Sequence, residues 1–277
     1  MAFRADGKRV RKADPMYTVV PYIMDKRNDA MNMITVDIPV EPIQNYINQK
    51  RKEGIRINHM SVIMAAYLKT VREYPLLNNF IVNKKIYTHK EFKVAMVVLK
   101  NLATQEETMS KVKFELSDNI FEVNEKMNAY VEENRKESTV NNTDKMIKFL
   151  VSLPGLLLVG VGLFKILDRY GLLPKFITDL SPFHSSLTLT NLASIRTNHI
   201  YHHIYNFGTT SVFIAMGKNR EVAKRRNGEI VFEKCMPLGV VMDERVCSGI
   251  YFAAAFRKFS NYLENPAVLE TAPEKID

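Results

Sequence analysis

The sequence predicts an α/β (α+β) two-layer fold, a mixed sheet flanked by helices. Three observations carry this. Runs with period-2 apolar spacing alternate along the chain with amphipathic helical stretches. No compositional break or internal repeat divides the 277 residues. The composition, 46% hydrophobic and 25% charged, is that of a globular chain with enough length for one large core.

Taken in order, residues 1–15 read as a basic N-terminal arm closed by Asp14-Pro15, and residues 16–277 as a single domain. In "MITVDIPVEP", Ile34, Val36, Ile38 and Val40 alternate, the mark of a half-buried strand. A helix follows and stops at Gly54. A second, mostly apolar helix covers Ile57 to Pro75, capped at Asn58 or Ser61. "NFIVNKKIYTHK" predicts a hairpin with Asn83-Lys84 at its tip, and "FKVAMVVLKN" and "KVKFEL" predict strands. Ser117 to Asn134 predicts a helix capped by Ser117, with Ile120, Val123, Met127 and Val131 on one face. "SSLTLTNLAS" (185–194) and "TTSVFIAMGK" (209–218) predict strands. "EIVFEKCMPLGVVMD" predicts two more around Pro237, and "SGIYFAAAFRKFSNYLENP" a closing helix.

Residues 144–176 stand apart as an apolar helical insert. Phe149 to Phe164 carries no charge for sixteen residues. A helix of that length reaches about 24 Å, short of the roughly 30 Å hydrocarbon core, and Pro154-Gly155 weakens a straight helix, so a span is not expected. Three readings stay open: a hairpin buried within the protein or between subunits, a membrane-surface contact through 149–164 edged by Lys145, Lys148, Lys165 and Arg169, or the wall of an apolar pocket. "NTDKM" around Lys145 superficially resembles a lipoyl-lysine signature, but its flanks are not those of a small β-domain, so no lipoyl attachment is expected.

The formal net charge is +9, with basic runs at Lys8–Lys12 and Lys218–Arg226. Such runs suit phosphate-bearing partners or form a solvated face. No nucleic-acid motif accompanies them, so nucleic acid is not expected. Cys235 and Cys247 stand alone and no signal peptide is evident, which predicts a cytoplasmic location, with membrane association tied to the insert. His202 and His203 are adjacent, and neighbours on a strand face opposite ways, so no metal site is expected.

Several segments in one order carry a resemblance. They are the opening strand and helices from Met24, the Pro75/Leu77/Asn78 segment, "SSLTLTNLAS", and "MDERVCSG" followed by a helix ending "LENP". Together they resemble the catalytic domain of the dihydrolipoamide acyltransferases of 2-oxoacid dehydrogenase complexes, in the chloramphenicol acetyltransferase-like superfamily. The resemblance implies a homotrimer with a channel between neighbouring subunits, CoA or acyl-CoA entering as substrate at one end and a small-molecule acyl acceptor at the other. The departures are specific. Glu244 occupies the place of the family's His base and Ser248 that of its Asp, while Asp243, Arg245 and Gly249 remain. The family's G-L-x-x-P segment is replaced by "NLATQEETMSKVKFEL", and the 144–176 insert has no counterpart.

Acyl transfer needs a base for the acceptor's proton and a donor for the tetrahedral oxyanion. The candidate catalytic residues are Glu244, Ser248, Thr190 (or Ser186), Asn191 and His203, with Cys247 and His202 as lesser alternatives. Arg245, Lys218 and Arg27 are the candidates for the CoA phosphates. An ordinary Glu lies about two pKa units below an imidazole, roughly 3 kcal/mol of added uphill proton transfer that burial could offset. An ion pair at Glu244 would instead make it a structural carboxylate. Two function classes therefore stand, a CoA-dependent acyltransferase and a catalytically inactive ligand-binding or scaffold protein of the same fold.

Overall fold

A computed structural model describes residues 4–101, 106–135, 145, 148–149, 151–152 and 155–272. Its centre is a seven-stranded mixed sheet in the order β2-β10-β8-β7-β5-β6, with β9 also on β10. The strands are β2 (Met31–Pro39), β5 (Phe92–Asn101), β6 (Glu106–Phe114), β7 (Leu187–Asn191), β8 (Val212–Met216), β9 (Arg220–Arg226) and β10 (Glu229–Asp243). β7 runs parallel to β5 and β8, and the other pairings are antiparallel. A small sheet, β1 (Gly7–Arg9), β4 (Lys85–His89) and β3 (Asn79–Val82), stands beside it.

One face of the large sheet is covered by helices α2 (Val40–Lys52), α3 (His59–Glu73), α4 (Ile120–Arg135) and α7 (Gly249–Glu264). α3 lies at the centre, with buried residues all around it, so it reads as apolar without a clear stripe. Leu187, Leu189, Leu238, Val240 and Met242 face these helices. The alternate residues, Thr188, Thr190, Gly239, Val241 and Asp243, face the other way by the two-residue period of a strand. That second face is crossed by residues 199–204. Gly217 and Gly239 make the crossing possible, since a Cβ on either would come within 2.9 Å of His199 or Ile200.

Most predicted elements are present with shifted ends. The Asn83-Lys84 tip takes positive φ at both residues, as a two-residue hairpin requires. Asn58 caps α3 by accepting from the Ser61 N–H at 2.8 Å. α4 is capped by Asn119 instead of Ser117: Asn119 accepts from the Phe121 and Glu122 N–H groups, and Glu122 accepts from Asn119. The two strands expected around Pro237 are one. Pro237 sits where β10's neighbour changes from β9, ending at Cys235, to β8, starting at Leu238, so its missing N–H interrupts no ladder. The basic run from Lys218 forms most of β9, turned back through Asn227-Gly228. The arm is built into the fold, because β1 pairs with β4 and Arg4 is buried. A helix, α1 (Pro15–Ile23), follows it.

Of the insert, helix α5 (Leu156–Tyr170) is described, and a short helix α6 (Lys175–Leu180) begins at the insert's end and runs past it. Asp168 anchors α5. It receives Arg4 Nη2 at 2.6 Å and lies 3.2 Å from His184 Nε2, while His184 Nδ1 is 2.8 Å from Ser181 Oγ. Burial pushes the Asp168 carboxyl up, but the hydrogen bond and charge of His184, with Arg4, outweigh it and hold the carboxyl well below its usual range. Lys111 on β6 ties the following segment down by donating to the carbonyls of Thr178 (2.5 Å) and His184 (2.9 Å).

Burial, aided by the charge of Lys93, pushes Lys111 down to about 7. The unfolded chain binds this proton up to about pH 10.4, so the cost of charging Lys111 in the fold is present in full below pH 7 and is relieved as pH rises above it. Urea unfolding of the protein and of Lys111→Met is expected to show the former gaining stability relative to the latter between about pH 7 and 10. A pH-independent difference would show that Lys111 is not desolvated.

Candidate active site

The loop Asp243–Gly249 joins the end of β10 to α7, and its centre is a buried carboxylate between two guanidinium groups. Asp243 is fully buried. Arg245 grips it bidentately, Nε to Oδ1 and Nη2 to Oδ2, both at 2.8 Å. Arg27 adds Nε to Oδ2 at 3.3 Å. Both arginines spend their remaining reach on backbone carbonyls: Arg27 on Tyr205, Gly208 and Ile81, Arg245 on Met24 and Asp25. These two candidates for CoA phosphates therefore act as the frame of the loop, each with four side-chain hydrogen bonds inside it.

Glu244 follows in this frame, half-buried, with its N–H donating to Ala30 O at 2.9 Å. Among the described residues its carboxylate has no hydrogen-bond or ion-pair partner. Arg245, next in sequence, points to Asp243 instead. Ser248 does not face Glu244 as a partner. Its hydroxyl accepts from the Tyr251 N–H at 3.1 Å and caps α7. Cys247 is fully buried in the core, and burial raises its thiol, so it is no nucleophile.

The other candidates lie elsewhere. Thr190 is buried on β7, and Asn191 ends that strand with its side-chain oxygen buried and unpartnered among the described residues. His203 is exposed, and His202 stacks on Phe213 at 4.2 Å. Ser186 is buried, its hydroxyl 3.4 Å from the Lys93 N on the neighbouring strand and from the Glu91 carbonyl just before that strand. Lys218 is exposed just past β8.

Register separates these residues into two groups. Thr190 is level with Ala215, and Ala215 with Gly239. Glu244 is five residues beyond Gly239, about 17 Å along the strand, and β10 lies two strands from β7. One end of the sheet thus carries Glu244, Arg245 and Arg27; the other carries Thr190, Asn191 and Lys218. A single chain cannot bring Glu244 and Thr190 to one substrate atom. Beside the first group opens a cleft of about 530 Å³, lined by Arg27, Arg245, the Asn83-Lys84 tip, Tyr205 and the α5 residues Lys165 and Arg169 among others. Sequence reasoning gave no sign of this cleft, because its walls come from five separate segments.

Residues 182–270 match the family described as 2-oxoacid dehydrogenases acyltransferase (catalytic domain). No curated protein sequence matches the chain. Among solved structures, a probable dihydrolipoamide acetyltransferase from Listeria monocytogenes aligns at TM-score 0.59 and 14% identity, over 95% of this chain and 98% of that one. Azotobacter vinelandii dihydrolipoamide acetyltransferase gives 0.59 at 10% identity over 94% of each chain. A chloramphenicol acetyltransferase gives 0.55 at 11% identity, over 93% of this chain and 99% of that one. The chain has the chloramphenicol acetyltransferase-like fold, and the segment from β7 to the end of α7 carries the sequence resemblance to the acyltransferase catalytic domain.

Removing the central carboxylate's charge leaves two buried guanidinium groups uncompensated. Asp243→Asn is expected to cost about 3–5 kcal/mol, read as a lower denaturant midpoint. An unchanged midpoint would show that the frame does not hold the loop.

Proposed function

We propose that the protein is a CoA-dependent acyltransferase whose site is completed between neighbouring copies of a homotrimer. The observation that carries this is the free carboxylate of Glu244, held by the Asp243–Arg245–Arg27 frame at the position of the family's base. An ion pair there would have argued for a structural role, and none is present among the described residues. The two groups at opposite ends of the sheet fit a ring in which one copy's Glu244 end meets the next copy's Thr190 end, a heterologous contact that closes by rotation. The exposed Ile195, Ile200, Ile230 and Phe232 supply apolar surface for such contacts.

In this reading Glu244 takes the proton from the acceptor thiol, hydroxyl or amine as that atom attacks the thioester carbonyl. The Thr190 hydroxyl of the adjoining copy donates to the oxyanion. Collapse of the tetrahedral intermediate breaks the carbon–sulfur bond, and the departing thiolate of CoA takes the proton back from Glu244. A second copy over Glu244 would exclude water from the reacting atoms. Lys218, exposed at the Thr190 end, is free to meet a CoA phosphate.

Glu244→Gln is expected to lose about 100-fold or more in acyl transfer, in the range of a general base, with unfolding unchanged. Thr190→Val is expected to lose a comparable factor. Mixing the two inactive variants by co-expression is the sharper assay. If each site draws one residue from each of two copies, about a quarter of the sites in random mixed trimers regain both residues, and activity returns. Two active single variants would remove these residues from the mechanism. Absence of binding to any CoA ester by calorimetry would favour the inactive scaffold, a reading to which Ser248 lends its weight as a plain helix cap.

A further inference from the structure

The part of the molecule that acyl transfer leaves unused is the outer surface of α5 and α1. α5 shows its apolar side to solvent. Val159, Leu163, Ile166 and Tyr170 follow one another at four-, three- and four-residue steps, so they form one stripe, and they are 68%, 51%, 57% and 57% exposed. Leu158 beside them is 83% exposed. The end of the helix that touches the protein does so through the buried Asp168. α1 repeats the arrangement, with Met16, Val19, Tyr22 and Ile23 each at least half exposed.

Both helices attach to one hairpin tip. Arg169 donates to Asn83 at 3.3 Å, and Lys84 lies over the Tyr22 ring at 5.1 Å and 3.2 Å from Asp25. Basic side chains line the cleft at this tip, Lys26, Lys84, Lys165 and Arg169, and Asp25 is the exposed carboxylate of that lining. Asp168, which also lines the cleft, is buried and turned to Arg4, a guanidinium it shares with Asp6.

Two apolar stripes beside a cationic patch complement an anionic bilayer surface. We propose that α1 and α5 dock the protein on the headgroup region of an anionic membrane. The apolar stripes enter the headgroup–acyl boundary, and Lys26, Lys165 and Arg169 pair with lipid phosphates. No helix among the described residues is long and apolar enough to cross a membrane, and a helix exposing a narrow apolar stripe lies in the interface instead. A second copy docked on the same surface about a two-fold axis would set the two cationic patches against each other. The cations line the cleft beside the Arg27–Arg245 frame, so the inference requires that a neighbouring copy leave the outer rim of that cleft open; vesicle binding is measured separately from acyl transfer, so either can fail without the other.

The test is sedimentation of the full chain with phosphatidylcholine vesicles, with and without phosphatidylglycerol, in low and high salt. Binding is expected only with phosphatidylglycerol and weakens in salt. Lys165→Gln with Arg169→Gln is expected to reduce the partition coefficient by about tenfold or more, and Leu163→Asp with Ile166→Asp by at least as much, both with an unchanged circular dichroism spectrum and sedimentation coefficient. No binding to the phosphatidylglycerol vesicles overturns the proposal. So does equal binding by the Asp variant, or a smaller oligomer from it, which would assign the stripe to a contact between copies.

Discussion

The Asp243 carboxylate, buried between Arg27 and Arg245, is the constraint on which the site depends. A single buried carboxylate would carry a large desolvation cost, and one guanidinium would offset only part of it. Here the pair of arginines reaches it from two directions and then fastens to carbonyls of three further segments. The end of β10, the residues after α1, the end of β3 and the 205–208 loop are held together by that one cluster. The position of Glu244 follows from it, because Arg245 is bound to Asp243 and cannot pair with its other neighbour.

The same cluster explains why the residues chosen for phosphate binding do something else. Arginine beside a site is a common anion ligand, but a guanidinium has a fixed number of donors. In Arg27 and Arg245 the carboxylate and the carbonyls take four of the five. The positive charge that remains available lies outward, on lysines and on Arg169 around the cleft, and at Lys218 at the far end of the sheet.

Much of the fold was legible because its signals are local. The alternation in β2, the Asn58 cap, the Asn83-Lys84 tip and the Ser-Gly start of α7 each depend on a few adjacent residues. Asn227-Gly228 was equally local, and the charge of the surrounding run hid it. The continuous β10 was less accessible, since a proline is harmless only where the neighbouring strand changes, and that is a matter of pairing. The site was legible as a set of residue types and not as a geometry. Nothing in "SSLTLTN" or "MDERVCSG" reveals that a parallel β7–β8 pairing followed by an antiparallel β8–β10 pairing puts Thr190 and Glu244 at opposite ends. Nor does the sequence show that Ser248 faces the helix it begins.

In the proposed reading, that separation makes the assembly part of the chemistry. A structure of the oligomer that measures the distance from the Glu244 carboxylate of one copy to the Thr190 hydroxyl of the next addresses the claim directly. The account predicts that the two face a common water-poor channel with room for one acyl carbonyl between them, about 6–8 Å apart when each lies near 3 Å from a reacting atom. Glu244 on the outer surface of the assembly, with Thr190 covered by another contact, would contradict it.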